Sequence, residues 1–117
     1  MSKVLVAFEV TLTPKGKEEY LAAVEKIKPL VADLAGYERG ERFQSIAEGN
    51  KLLSLHVWEN EEAVAKWRNQ TEHRLAQMAG REKMFSSYRI TVGHVVREYT
   101  DTNRSQAPAD SNQYLIR

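Results

Sequence analysis

At 117 residues the chain has room for one domain with a real core, and none for a catalytic domain beside a separate cofactor domain. Lys and Arg number 17 against 16 Asp and Glu, a net charge of +1, so the basic face that marks a nucleic-acid or anionic-membrane partner is missing. The absence of cysteine excludes a disulfide, a thiolate nucleophile and a sulfur-ligated metal, and suits a reducing compartment; the cytoplasm is the expected location. Glu9 arrives before any signal-peptide core forms, and no apolar run approaches the ~20 residues of a membrane helix, so a soluble, unprocessed protein is expected.

Val4, Val6, Phe8, Val10 and Leu12 alternate with Leu5, Ala7, Glu9 and Thr11, the period of a strand with one strongly apolar face. Thr13-Pro14-Lys15-Gly16 turns the chain into a helix whose stripe is Tyr20, Val24, Ile27, Val31 and Leu34, closed at Gly36, with a kink or restart expected near Lys28 because of Pro29. Tyr37 to Ile46 and Lys51 to Trp58 read as an antiparallel hairpin around Ala47-Glu48-Gly49-Asn50. Asn60 is a helix cap, followed by Glu61 and Glu62 in the first turn and by Val64 and Trp67 on the buried stripe. Asn69-Gln70-Thr71 are weak helix formers and predict a break, with a new segment from Thr71 to Ala79 ended by Gly80. The break bears on function: in an unbroken helix Trp67 and His73 are turned about 240° apart. Tyr88 to Tyr99 alternates as a last strand.

The order strand, helix, strand, strand, helix, strand predicts an α+β, ferredoxin-like split βαβ domain over residues 1–99, with one antiparallel sheet and both helices on one face. The other face then presents an apolar row that nothing in the chain covers, which predicts a homodimer packed sheet to sheet. Residues 100–117 form a polar tail without periodicity until Tyr114-Leu115-Ile116, a short apolar end expected to pack on the body or on a partner subunit.

No glycine spacing matches a dinucleotide or phosphate loop, and the three histidines are too scattered for a local metal motif; no metal is expected. His56 and His94 fall mid-strand, where a sheet or interface role is the ordinary one. His73, with Gln77 one turn on and Arg81 after the next glycine, is either a half-exposed helical residue or a base near neutral pH. Trp67 is a core residue that also offers an edge to a pocket. Arg81 and Arg89 either steady an anion or pair with neighbours such as Glu82 and Glu41. Trp58, Trp67, His73, Gln77, Arg81, Phe85 and Tyr88 together have the make-up of a pocket for a flat organic ligand.

The run Leu-Leu-Ser-Leu-His-Val-Trp-Glu-Asn-Glu-Glu-Ala-Val-Ala-Lys-Trp-Arg-Asn at 52–69, followed by Glu72-His73, Gln77, Gly80-Arg81, Phe85 and Tyr88-Arg89, resembles the antibiotic-biosynthesis monooxygenase family. The resemblance spans about residues 3–99 and implies a dimeric α+β barrel with one pocket per subunit between sheet and helices. It further implies oxygenase chemistry without metal, flavin or haem, in which an electron-rich phenol or hydroquinone reduces oxygen itself. Trp67, His73 and Arg81 become catalytic candidates, and Trp58, Asn69, Gln77, Phe85 and Phe43 substrate-binding ones. The alternative is a non-catalytic small-molecule binder of the same fold. The haem-degrading branch carries an asparagine on its first strand and a histidine ten residues after the helix tryptophan; Phe8 and Gln77 stand there instead, so haem is not expected.

Overall fold

The alternation of Val4, Val6, Phe8, Val10 and Leu12 places all five on one face, and all five are buried. The computed structural model describes residues 3–79 and 85–113, with the helical backbone alone over 72–79. Its elements run β1 (Val4–Leu12), α1 (Gly16–Ala32), β2 (Tyr37–Gln44), β3 (Lys51–Trp58), α2 (Glu61–Ala79), β4 (Phe85–His94) and a short 3-10 turn at Ser111–Gln113. The sheet order is β2-β3-β1-β4 with every pairing antiparallel, so β1 and β2 are separated by β3 in the ferredoxin-like α+β arrangement. Among the described residues no helix is long and apolar enough to cross a membrane.

The helices pack on the inner face of β1 and β3. Tyr20, Ala23, Ile27 and Val31 of α1 are buried there, and so are Ala63, Val64, Trp67 and Thr71 of α2. Asn60 caps α2: its side-chain oxygen accepts from the Ala63 amide at 2.9 Å. Two expected interruptions are absent. Helix α1 runs through Pro29, which lies in the last two turns and removes a single backbone donor between the buried anchors Ile27 and Val31. Helix α2 is continuous across Asn69-Gln70-Thr71. The weak propensities of these residues are outweighed by the packing of Trp67 and Thr71, one turn apart on the same buried stripe.

Strand β4 begins at Phe85 rather than Tyr88 and ends at His94 rather than Tyr99, because its partner sets its length. His94 pairs with Val4, the first residue of β1, and Phe85 with Leu12, the last. Beyond His94 one more bond forms, from the Val95 amide to the Lys3 carbonyl at 2.9 Å, and the chain then leaves the edge. Glu98 reaches Arg39 of β2 at 3.0 Å and Lys3 at 3.7 Å, which carries the chain across one end of the outer sheet face. Val57, whose register partners are Leu5 and Arg39 at that end, is fully buried. The outer face is therefore less bare than the sequence suggests, and its half-buried Leu5, Ala7, Leu53 and Leu55 lie among Glu9, Lys51 and Arg39. Arg104 gathers the following segment, donating to Asn112, Ser111 and the Thr100 carbonyl and standing 5.0 Å over the Tyr99 ring. Tyr114-Leu115-Ile116 lie outside the described residues.

Gly36 joins α1 to β2 in the left-handed region, φ +89°, and a Cβ there would stand 2.6 Å from the Cβ of Ala63. Its carbonyl accepts from the Glu59 amide at 2.7 Å, tying this turn to the entry of α2. Gly36→Ala is expected to destabilise the fold by ~2 kcal/mol or more, from conformation and overpacking together. Gly49→Ala, where a Cβ meets only the Gln44 amide nitrogen at 3.9 Å, is expected to change stability little. Urea unfolding of the two variants checks the contrast.

Candidate functional site

Helix-facing residues of β2 and β3 depart from the apolar pattern of β1. Between Leu52 and Trp58 the inner face of β3 carries Ser54 and His56, and opposite them β2 places Arg42 and Gly40. Small or polar residues at these rungs leave space under the helices. The result is a cavity of about 390 Å³ between α1, α2 and the sheet, walled by Phe8, Tyr20, Ile27 and Trp67 on its apolar side. That is the size of a small-ligand pocket.

His56 is the centre of an aromatic cluster. Its ring meets Tyr37 at 6.1 Å, Trp58 at 6.0 Å and Trp67 at 5.7 Å, each edge to face. Gly40 lets the imidazole lie across β2: a Cβ at that position would be 2.6 Å from His56 Cδ2 and 2.7 Å from the Tyr37 hydroxyl. Nδ1 of His56 is buried and has no hydrogen-bond partner among the described residues, and the same holds for Oγ1 of Thr71, also on the cavity wall. Burial pushes the His56 pKa down to about 4, and the Arg42 guanidinium adds to the effect, so the imidazole is neutral at pH 7. The hydroxyl of Tyr20 is pushed the other way, upward, by burial, with Arg42 opposing. One guanidinium thus acts on two titratable groups of the same cavity. Among the described residues no three of His, Asp and Glu converge as a metal-binding set.

The sequence profile described as "Antibiotic biosynthesis monooxygenase" matches residues 3–79. The chain belongs to the antibiotic biosynthesis monooxygenase family. Among curated proteins it is 30% identical over 90 residues to the jasmonate monooxygenase ABM of Pyricularia oryzae, a match covering 77% of this chain and 42% of that protein. The chain thus spans less than half the length of that relative. It is also 30% identical over 79 residues to YqjZ of Bacillus subtilis, 68% of each. Among solved structures, SnoaB, a cofactor-independent oxygenase of Streptomyces nogalater, superposes with a TM-score of 0.68 at 12% identity, covering 84% of this chain and 97% of that one. A Mycobacterium tuberculosis protein superposes at 0.71 with 17% identity, covering 85% and 100%. Likeness at these identities concerns the fold.

Of the residues singled out from the family resemblance, Trp67 lines the cavity. Trp58 stands one layer behind it, ring centroids 6.3 Å apart, fully buried and with Nε1 unpartnered among the described residues. Phe85 packs on the core and against Tyr88 at 5.8 Å, away from the cavity wall. Phe43 pairs with Leu53 and projects from the outer face, 42% exposed. Asn69 is exposed, about 200° around α2 from Trp67. The side chains of His73 and Gln77, and all of Arg81, lie outside the described residues. The expected break is absent, so position 73 lies about 240° around the continuous α2 from Trp67. His56, Arg42, Tyr20 and Gly40 were not expected at a site. Their signal in the sequence is the alternation itself, which puts Ser54 and His56 on the face of Trp58.

The depressed His56 pKa has a sign that can be checked. Between pH 6.5 and about 4 the unfolded chain binds a proton at this residue that the folded chain does not. Stability therefore rises with pH across that window and falls on acidification, by on the order of 3 kcal/mol in full. His56→Gln is expected to flatten this part of the profile, so that wild type loses more stability than the variant between pH 7 and 4.5 in urea titrations.

Proposed function

We propose that this cavity is the active site of a cofactor-independent monooxygenase acting on a small aromatic of phenol or hydroquinone type. The observation that carries the reading is the neutral, largely buried imidazole of His56, with Nδ1 unpartnered among the described residues, at the wall of a cavity faced by Trp67 and Phe8. The monooxygenase membership of the chain and its likeness to a cofactor-independent oxygenase support the reaction class. Trp67 and Phe8 offer a flat, apolar surface to a ring. His56 accepts the hydrogen bond, and then the proton, of a ring hydroxyl. An imidazolium is disfavoured here in isolation, but the phenolate formed beside it is its counter-charge, and in this low-dielectric site their attraction offsets much of the penalty. The electron-rich ring then reduces oxygen: at a ring C–H para to the ionised hydroxyl one oxygen atom enters to give C=O, and the other leaves as water with the hydrogens of that C–H and of the hydroxyl. Substrate supplies both electrons, and the protein supplies position and a proton path.

Haem fits this site poorly. The first-strand position is occupied by the buried Phe8, which donates no hydrogen bond, and the residue ten after Trp67 is Gln77. His73 remains a candidate for a second proton acceptor, and Arg81 for a hydrogen-bond donor to an anion. The assembly we propose is a homodimer in which the half-buried Leu5, Ala7, Leu53 and Leu55 of the outer face meet their counterparts, and light scattering at micromolar concentration is expected to give twice the chain mass.

Oxygen uptake with a panel of anthrones and hydroquinones, jasmonate included because of the Pyricularia relative, tests the chemistry. His56→Gln is expected to lower turnover about 10²-fold with a modest change in binding, and Trp67→Phe to act mainly on KM. Full turnover in His56→Gln with loss in His73→Ala would move the base to His73. Stoichiometric binding of such rings without oxygen uptake would favour the non-catalytic binder.

A further inference from the structure

We propose that the substrate is an aromatic carboxylate and that Arg42 is the residue that holds its acid group. This refines the monooxygenase reading and rests on the same cavity. Among the described residues two cationic ones line that cavity, Lys28 from α1 and Arg42 from β2. The acidic residue at its wall is Glu41, but Glu41 pairs with Leu55, whereas Arg42 pairs with Ser54, so strand alternation turns the Glu41 side chain to the outer face. Among the described residues, then, no carboxylate points into the cavity to neutralise the guanidinium. Arg42 makes no ion pair with any described residue, and its Nε is buried without a partner. A guanidinium carries five donors in a planar fork that matches a carboxylate with two parallel bonds, and a buried N–H left unpaired is costly. The charge also reaches the two titratable groups beside it, Tyr20 and His56.

The register places the residues that carry the two polar contacts on neighbouring inner-face rungs of the sheet. Arg42 lies on the Ser54 rung and His56 on the Gly40 rung, two residues along the strand, or roughly 7 Å. A ring system with hydroxyl and carboxylate on opposite ends suits two contacts carried by different rungs, the long Arg42 side chain taking up the difference in length. Trp67 and Phe8 cover the ring between. Anchoring the acid on Arg42 thus selects which ring carbon comes to His56, and makes Arg42 a specificity-determining residue.

Calorimetric titration of the full chain with 6-hydroxy-2-naphthoate and with its methyl ester tests the proposal. Wild type is expected to bind the acid about 10-fold or more tightly than the ester, the size of one charge-assisted pair. Arg42→Gln should abolish that preference by weakening the acid alone, and Arg42→Lys should restore part of it, since the point charge remains and the fork is lost. Equal binding of acid and ester by wild type, no binding of either at millimolar concentration, or equal loss of both in Arg42→Gln would overturn it; if Arg42→Gln does not fold, Arg42→Lys and Lys28→Gln decide, and loss of the acid preference in Lys28→Gln with none in Arg42→Lys would overturn the role of Arg42. Oxygen uptake is a separate readout. Acid-selective binding with no uptake from any electron-rich ring defeats the oxygenase reading and leaves the anion site standing, whereas uptake with neutral rings and no acid preference does the reverse.

Discussion

A histidine ring lying over a glycine is the constraint on which the rest of the site depends. The imidazole of His56 occupies the volume in which any side chain at position 40 would sit, within 2.6 Å of where a Cβ would be. With the ring held there, its edge contacts to Tyr37, Trp58 and Trp67 follow, and these join β2, β3 and α2 into one aromatic cluster. The same contacts shield much of the ring from water and favour its uncharged form. Packing and protonation state are therefore one property here. A larger residue at position 40 would disturb both by moving a single ring.

Much of the fold is legible in the sequence because its period-two and helical stripes are strong. The five apolar residues of β1, the Tyr20-Ile27-Val31 stripe of α1, the Asn60 cap and the hairpin at Gly49-Asn50 all stand where the pattern places them. Misreadings arise where local propensity competes with packing. Asn69-Gln70-Thr71 look like a break, yet Trp67 and Thr71 are buried one turn apart and hold the helix together. The ends of β4 are set by the length of β1, which no property of residues 85 to 99 reveals.

The site was harder to read than the fold. A histidine in a strand is ordinary, and nothing in Leu-His-Val-Trp alone says that its ring meets a cavity. The information lies across strands: Gly40 opposite His56 and Arg42 opposite Ser54, a register that only the hairpin geometry supplies. The residues that carry the family resemblance cluster instead on α2, where Trp67 reaches the cavity and Asn69 faces solvent. Phe43 shows the same limit from the other side. It is an aromatic residue next to Arg42 in sequence, and alternation sends it to the opposite face of the sheet.

The unfilled volume itself argues for a ligand role over a purely structural one. The inner face of β1 shows that this sheet packs tightly where it is lined by Val, Leu and Phe, with every such residue buried. Continuing that pattern at positions 40, 54 and 56 would fill the space under the helices with apolar side chains and add stability. The chain instead places a glycine, a serine and a histidine there, with an arginine beside them, and leaves Nδ1 of His56, Oγ1 of Thr71 and Nε of Arg42 buried without partners among the described residues. Each unpaired polar group of this kind costs about 1–3 kcal/mol relative to a satisfied one. All three residues line the cavity, so a ring that covers the apolar wall while offering hydrogen-bonding and acidic groups at its ends would meet the polar side chains that weaken this part of the core.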